Sequence, residues 1–470
     1  MEGGEQPDIL RHFQAGQSAR LAGDLDKAAE HLFQAFELNP RSIHILLEIG
    51  LLQQQRGEWE HARHCFEQAI RVQPDNPQAL DAMAHACQAQ GQLTEAVGYW
   101  NRAVEFQPDY ADAWQNLGLA LEHLDQLPEA IAAHQQAVIL RPNDAKTHRL
   151  LGMAQLDYGH FSEAQQSNAR ALELAPEDPE AIWQRFFQRA LEGNFPGAWE
   201  DYECRFKLPG RTTPEFPLSA PRWQGESLPG KTLLLHAEQG YGDTLQMVRY
   251  VTRCSERVNR VILWVPPALQ RLLDGTTGAD QIITQQPAPD TFDIHLPMMS
   301  LPGVFGDSLQ SIPATVPYLG NPTQQTGPIQ NIGLAWAGSG NQPLDRRSIP
   351  LTALAPLWDL PHVCWHNLQV NGTDDLSETP LINPPEPLHD FASTAALMTS
   401  LDAVVCVDSA VAHLAGALGI RTWVMLNFAA DWRWGRTGTV SPWYPSLTLV
   451  RQRFGEDWGS VAQRIVAGIQ

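Results

Sequence analysis

Three short stretches carry side chains and backbone suited to holding an anion. In LLLHAEQGYGDTLQMVRYV (233–251) an apolar run enters a glycine turn and a helix opens at Asp243. Gly240 and Gly242 leave room for a ligand to approach the main chain, and Asp243 stands where a carboxylate either caps the helix or faces a ligand. In NIGLAWAGSGNQPLDRRSIPL (331–351) a strand ends in the small-residue loop Gly338-Ser339, followed by Asp345 and the guanidiniums of Arg346 and Arg347. In LDAVVCVDSAVAHLAGALGIRTWVML (401–426) Asp408 and Ser409 close a strand, a helix opens at Ser409 or Ala410, and His413 lies on an early turn. Unpaired amides at a helix start attract anions, and a guanidinium fork matches phosphate oxygens, so the combination suits a phosphate-bearing ligand. Further on, NFAADWRWGRTGTVSPWYPSLTLVRQ (427–452) supplies Trp432, Trp434, Trp443 and Tyr444. Their faces can stack on a base or sugar, although core packing claims at least two of the four, and Arg433 can reach a carboxylate or a phosphate.

Parallel α/β units must position these stretches. After Gly230 short apolar runs (KTLLLHA, RVILWVP, QIITQ, then NIGLAWA, HVCWHNLQ, DAVVCVD, TWVMLNF) alternate with helix-length segments. They form two sets, 231–320 and 328–470, joined through YLGNPTQQTGP. Ligands of open parallel sheets sit beyond the carboxyl ends of the strands, which is where all three stretches fall.

The preceding part of the chain is periodic. Pro40, Pro74, Pro108, Pro142 and Pro176 recur every 34 residues, as do Ala28, Ala62, Ala96, Ala130, Ala164 and Ala198. Gly23, Gly57, Gly91, Gly159 and Gly193 keep the step with Asp125 filling the gap, and so does the series Gly16, Gly50, Ala84, Gly118, Gly152. Small residues let two antiparallel helices approach, a residue tolerant of left-handed backbone turns the chain, and proline stops the second helix. Full repeats are expected at 9–42, 43–76, 77–110, 111–144 and 145–178, with a truncated sixth to about 206. Stacked hairpins of this kind bury a shared core and present a concave groove. The histidines His12, His44, His85, His123, His134 and His148 share no ligand spacing, and Asp24-Leu25-Asp26 falls in a turn, so neither suggests a metal site. Prolines 209, 214, 217, 221 and 229 end the periodicity, and Trp199, Tyr202 and Trp223 are expected to pack the last hairpin on the α/β half.

Composition narrows the function classes. The formal charge is −21, and the excess of acids is concentrated in 1–206, which disfavours nucleic acid there but would not repel a basic protein segment. No apolar run reaches the roughly 18–20 residues of a membrane span, and the Met-Glu-Gly-Gly-Glu start lacks a signal pattern, so a cytoplasmic location is expected. The six cysteines form no CxxC pair, and neither a zinc site nor a disulfide framework is expected.

The 34-residue pattern resembles the tetratricopeptide repeat. The three anion-suited stretches, in their order and spacing, resemble the heptosyltransferase family of GT-B glycosyltransferases and its repeat-linked relatives, some of which glycosylate proteins such as flagellin. The resemblance implies a tetratricopeptide α-solenoid (1–206), a proline-rich junction (207–230), and a GT-B fold of two Rossmann-like halves (231–327 and 328–470). It implies Asp243 as general base, beside Gly242, and Ser339, Arg346, Arg347, Asp408, Ser409 and His413 at the nucleotide-sugar diphosphate; Gly240, Gly242, Trp432 and Arg433 are expected with them at the donor. Asp293 and His295 would reach the acceptor side of the cleft. The implied activity is inverting, metal-independent transfer of a sugar to a serine or threonine of a protein held by the repeats, with no cofactor. Two alternatives remain open: a binding scaffold that has lost activity, and a transferase acting on lipopolysaccharide-type glycans. One departure is clear. Family members often place a lysine at the phosphate site, whereas the lysines here are Lys27, Lys146, Lys207 and Lys231, so arginine has to substitute. Self-association through a solenoid face is compatible with the pattern.

Overall fold

The computed structural model describes residues 5–210, 216, 218–320, 328–338, 345–370 and 375–470. The chain divides into two compact units, Met1–Pro176 and Glu177–Gln470.

The first unit is built from five helical hairpins: α1 (Glu5–Leu21) with α2 (Leu25–Leu38), α3 (Ile43–Gln55) with α4 (Trp59–Val72), α5 (Pro77–Ala89) with α6 (Leu93–Phe106), α7 (Ala111–His123) with α8 (Leu127–Leu140), and α9 (Ala145–Asp157) with α10 (Phe161–Leu174). The turn series behaves as its spacing predicts: Gly23, Gly57, Gly91 and Gly159 all have φ between 76° and 84°, and Asp125 takes φ 60° in the gap. Helix contact depends on the second small-residue series. A Cβ on Gly16 would lie 2.6 Å from Leu32, on Gly50 2.2 Å from Phe66, and on Gly118 2.4 Å from His134. The residue facing the small position is therefore fully buried in each hairpin, and it runs Leu32, Phe66, Trp100, His134, Asn168 along the chain. Neighbouring repeats are tied by charged pairs, among them Arg20–Glu48 at 2.7 Å and the two-pronged Arg141–Asp112 contact at 2.7 Å.

His134 is an interhelical core residue. Its Nε2 lies 2.8 Å from the buried carboxylate of Glu122. A buried polar pair of this kind is fragile to removal of one partner and much less so to replacement of both. His134→Phe alone should therefore cost roughly 1–3 kcal/mol by orphaning Glu122. The double variant His134→Phe/Glu122→Leu should recover most of that loss, since Phe66 already fills the same slot against Gly50. Denaturant unfolding followed by helical circular dichroism checks both; equal stability of the single and double variants would count against the pair.

The second unit opens with a sixth hairpin, α11 (Pro179–Leu191) and α12 (Phe195–Tyr202). The expected boundary near 206 thus differs from the observed division after Pro176, because this hairpin is apolar and aromatic toward the α/β layers. Trp199 donates Nε1–H to the Asp307 carbonyl at 2.9 Å, and Tyr202 donates to Gln239 Oε1 at 3.2 Å. Arg205 grips the buried Glu238 carboxylate with two nitrogens, at 3.1 and 2.9 Å. Trp223 does not join them: it is buried against Phe305 and donates to the Glu226 carbonyl.

Two parallel sheets complete the unit. The first, in order β3-β2-β1-β4, comprises β1 (Leu228–His236), β2 (Val258–Trp264), β3 (Gln281–Ile283) and β4 (Ile294–Pro297). The second, in order β10-β9-β8-β5-β6-β7, comprises β5 (Asn331–Ala335), β6 (Cys364–Asn367), β7 (Leu381–Ile382), β8 (Ala403–Val407), β9 (Thr422–Leu426) and β10 (Leu447–Arg451). The runs 403–407 and 422–426 are buried throughout, as strands covered on both faces must be. Helix α13 (Tyr241–Met247) follows β1; α14 (Val251–Ser255), α15 (Pro267–Leu273) and α16 (Leu301–Val304) complete the first layer, and α17 (Phe391–Thr399), α18 (Ala410–Ala417) and α19 (Trp458–Ile469) serve the second. Among the described residues no helix is long and apolar enough to cross a membrane.

Candidate functional site

The anion-suited stretches lie at the carboxyl ends of β1, β5 and β8. After β1, Gly240 is the extended N-cap residue of α13, and its N–H donates to Asp243 Oδ2 at 2.9 Å. Asp243 is thus a helix cap, but only through one oxygen. Its Oδ1 receives Arg433 Nη2 from the second sheet's side. Arg433 is buried and heavily engaged: Nε donates to Gln246 Oε1 at 3.0 Å, Nη1 to Asp431 Oδ1 at 2.8 Å, and the guanidinium lies 4.4 Å from the centre of the Trp432 ring. Burial pushes the Asp243 carboxyl above its ordinary value, while Arg433 and the Gly240 N–H pull it back.

After β5, Gly338 donates its N–H to Ser348 Oγ at 2.9 Å, and a Cβ there would meet Asp345 and Arg347 at 3.0 and 3.1 Å. The bare backbone at Gly338 is what lets this ion pair fold over the loop. Asp345 takes Ser348 Oγ–H at 2.7 Å and Arg347 Nε–H at 3.2 Å. Arg346 is anchored through its carbonyl, which accepts from Asn427 Nδ2 at 3.3 Å. Ser339 lies outside the described residues.

After β8, Ser409 is the extended N-cap residue of α18 yet makes no side-chain cap; its Oγ turns back to the Val407 carbonyl at 3.2 Å. The first amides of α18 are left without a capping side chain. Asp408 beside it has its carboxyl pushed up to about 6 by burial first and by Asp431 second, against the lowering effect of Arg347 and Arg433. His413 is only 5% exposed. Its ring stacks on Trp434 at 5.4 Å, and Nδ1 lies 2.8 Å from the Tyr444 hydroxyl. Burial, Arg433 and Arg249 hold it well below the usual histidine range, so it is a neutral hydrogen-bonding group rather than a cation.

Asp243, Asp408, Arg347 and Arg433 therefore belong to one charged network. Three expectations need correction. Trp432 is 2% exposed, with Phe186 and Trp199 at 5.4 and 5.5 Å from its ring centre, so it fills an aromatic core instead of facing a ligand. Asp293 precedes β4, at the amino end of the sheet, where it pairs with Lys231 at 2.9 Å and caps the Thr232 N–H. His295 lies within β4 against His236, at 3.2 Å, not at a strand end. Sequence reasoning missed Asp431, Gln246 and Arg249, and it read Tyr444 as a stacking face, not as the partner of His413. The DWRW run places Asp431 two residues before Arg433, but nothing local ties either to Gln246 on α13. Among the described residues no group of three His, Cys, Asp or Glu side chains could hold a metal ion.

Comparison with known proteins defines the class of the first unit. A TPR repeat profile matches residues 84–125 and a tetratricopeptide repeat profile matches 19–86, so the amino-terminal region consists of tetratricopeptide repeats, which point to protein or peptide partners. Among curated proteins the chain is similar to Protein FlbA of Caulobacter vibrioides, with 27% identity over 336 residues, 62% of this chain and 56% of FlbA. The chain thus spans little more than half the length of that relative. Solved structures similar to it include Pseudomonas aeruginosa pilF (16% identity, TM-score 0.41, 44% of this chain and 95% of that one). YrrB, a TPR protein with an unusual peptide-binding site, is another (19% identity, TM-score 0.34, 39% and 94%).

A carboxyl whose value is raised in the folded state binds its proton more tightly there than in the unfolded chain. Asp408 then favours folding below its folded value and disfavours it above, where a buried charge must be held. Asp408→Asn should raise the melting temperature at pH 7–8 by roughly 2–4 °C, an advantage that shrinks as pH falls through about 6 and is gone below the ordinary carboxyl value of 3.8. Thermal scans across that range check the sign.

Proposed function

We propose that the second unit is a GT-B glycosyltransferase that moves a sugar from a nucleotide-sugar to a serine or threonine hydroxyl of a protein recruited by the repeats. The observation that carries this reading is the meeting of the β1, β5 and β8 ends in one network, with a carboxylate from the first sheet and a helix start and guanidinium from the second. Breaking a sugar–phosphate bond leaves a diphosphate, and the uncapped amides of α18 with Arg347 are suited to stabilising it. Asp243 would take the acceptor hydroxyl's proton from the other side, giving inversion. The raised value of Asp408 supports the same reading, since a carboxyl so easily protonated can lose its charge when a diphosphate binds beside it.

Incubation with candidate protein acceptors and a panel of nucleotide-sugars should give a donor-dependent mass increase. Asp243→Asn, which keeps an acceptor for the Gly240 cap, should lower turnover by roughly 10²–10⁴-fold. Undiminished turnover in that variant removes Asp243 as base. Nucleotide-sugar affinity, read by calorimetry, should rise as pH falls through about 6, because Asp408 takes up a proton, and Asp408→Asn should flatten that dependence.

A second reading, a scaffold without transfer, draws support from the mutual engagement of Asp243 and Arg433. Nucleotide binding with no transfer to any acceptor, protein or glycan, favours it.

A further inference from the structure

His413 is the one residue of the network whose hydrogen-bonding role can be fixed from its surroundings. Two nitrogens have to be accounted for. Nδ1 faces the Tyr444 hydroxyl at 2.8 Å. Tyr444 is fully buried, and its O–H needs an acceptor; His413 Nδ1 meets it at 2.8 Å, with Tyr318 and Arg249 also bearing on the phenol oxygen. The neighbouring hydroxyl of Tyr318 has spent its own proton on the Leu245 carbonyl at 2.8 Å, so it is not a donor to Tyr444. Arg249, whose guanidinium lies 4.5 Å from the Tyr444 ring centre, is a further donor that leaves the phenol oxygen less free to accept.

The other nitrogen, Nε2, makes no hydrogen bond to a described residue. It lies on the ring edge turned toward α13, where a Cβ on Gly242 would be 2.7 Å from His413 Cδ2 and 3.4 Å from Nε2. The side chain is nonetheless deeply buried, and one face is covered by Trp434. If Nδ1 accepts from Tyr444, the ring's proton is on Nε2, beside Gly242 and without an acceptor among the described residues.

We propose that Tyr444 is a positioning residue that fixes His413 as the neutral, Nε2-protonated tautomer, so that Nε2–H is offered to a phosphate oxygen between α13 and α18. The phosphate rests on the nucleotide-sugar reading of the site; the tautomer does not. Charged groups bearing on the ring come from both elements packed against it: Arg249 of the first layer and Arg433 beside Trp434 both oppose an imidazolium. A neutral N–H donor supplies the polar contact that a lysine would make, without a charge that would be tied up by Asp243 or Asp431.

The test uses the full chain labelled with ¹⁵N-histidine, with His413→Gln to assign the signal. The expected result is an Nε2–H pattern for His413 that does not titrate between pH 5 and 8. A proton on Nδ1, or an imidazolium in that range, overturns the proposal. In Tyr444→Phe the ring should show mixed tautomers, and binding of UDP, GDP, ADP or CDP, whichever the wild type takes, should weaken roughly three- to tenfold; unchanged His413 signals in that variant overturn the positioning role. A wild type that shows the Nε2–H tautomer but binds none of the four nucleotides upholds the role of Tyr444 and overturns the phosphate as its ligand.

Discussion

One buried guanidinium ties the two sheets of the second unit together. Arg433 stands just beyond β9, yet two of its nitrogens are satisfied by Asp243 and Gln246 on the helix after β1, and a third by Asp431. Removing one partner from a buried charge of this kind typically costs about 3–5 kcal/mol, so the three contacts stand or fall together. They hold α13 against α18 so closely that Gly242 has no room for a side chain beside His413. Arg249, three residues beyond Gln246, repeats the device with carbonyls: it donates to Trp443 and Pro313 at 2.8 and 3.1 Å. The loops at the ends of β1 and β8 are thereby brought together.

The sixth hairpin reinforces this arrangement. Its aromatic side chains reach both layers, with Trp199 bonded to Asp307 of the first and packed on Trp432 of the second, and Phe195 packed on Trp443. Trp432 is next to Arg433 in sequence and lies under its guanidinium, so the aromatic cluster and the ion network share a boundary. A helical hairpin that keeps the 34-residue register is thus part of the α/β unit's core, which explains why periodicity and compactness divide the chain at different places.

The parts of this structure legible in the sequence are those set by local backbone demands. Glycine or aspartate at φ of 60° or more and proline after the second helix recur because each hairpin needs the same turn and the same stop. Strand runs such as 403–407 announced themselves because burial on both faces requires continuous apolar residues. Placement of Asp243, Asp408 and His413 near one another followed from strand ends. What could not be read is who partners whom: Asp243 and Arg433 are separated by 190 residues, and no spacing rule joins them. The misassignment of Trp432 has the same origin, since an aromatic residue in a loop looks alike whether its neighbours are a ligand or Phe186 and Trp199. Asp293 looked available because a lone carboxylate carries no sign of which end of a strand it occupies.

Under the proposed reading, the lack of lysine beyond Lys231 raises the question of how an acid-rich network could accept a diphosphate. Four carboxylates line the network, but three are answered: Asp243 and Asp431 by Arg433, and Asp345 by Arg347. Asp408 makes no ion pair among the described residues, and it is the one whose carboxyl is pushed up to about 6. Protonation of that group removes one of the negative charges that the two arginines leave uncompensated. Under the proposed reading, the acidic members then serve to hold the arginines and the helix start in place, and the attraction for the ligand comes from backbone amides, Arg347 and a neutral imidazole. Such fixed dipoles need no reorganisation when charge develops on the leaving group, whereas a lysine on a flexible stem would first have to be ordered.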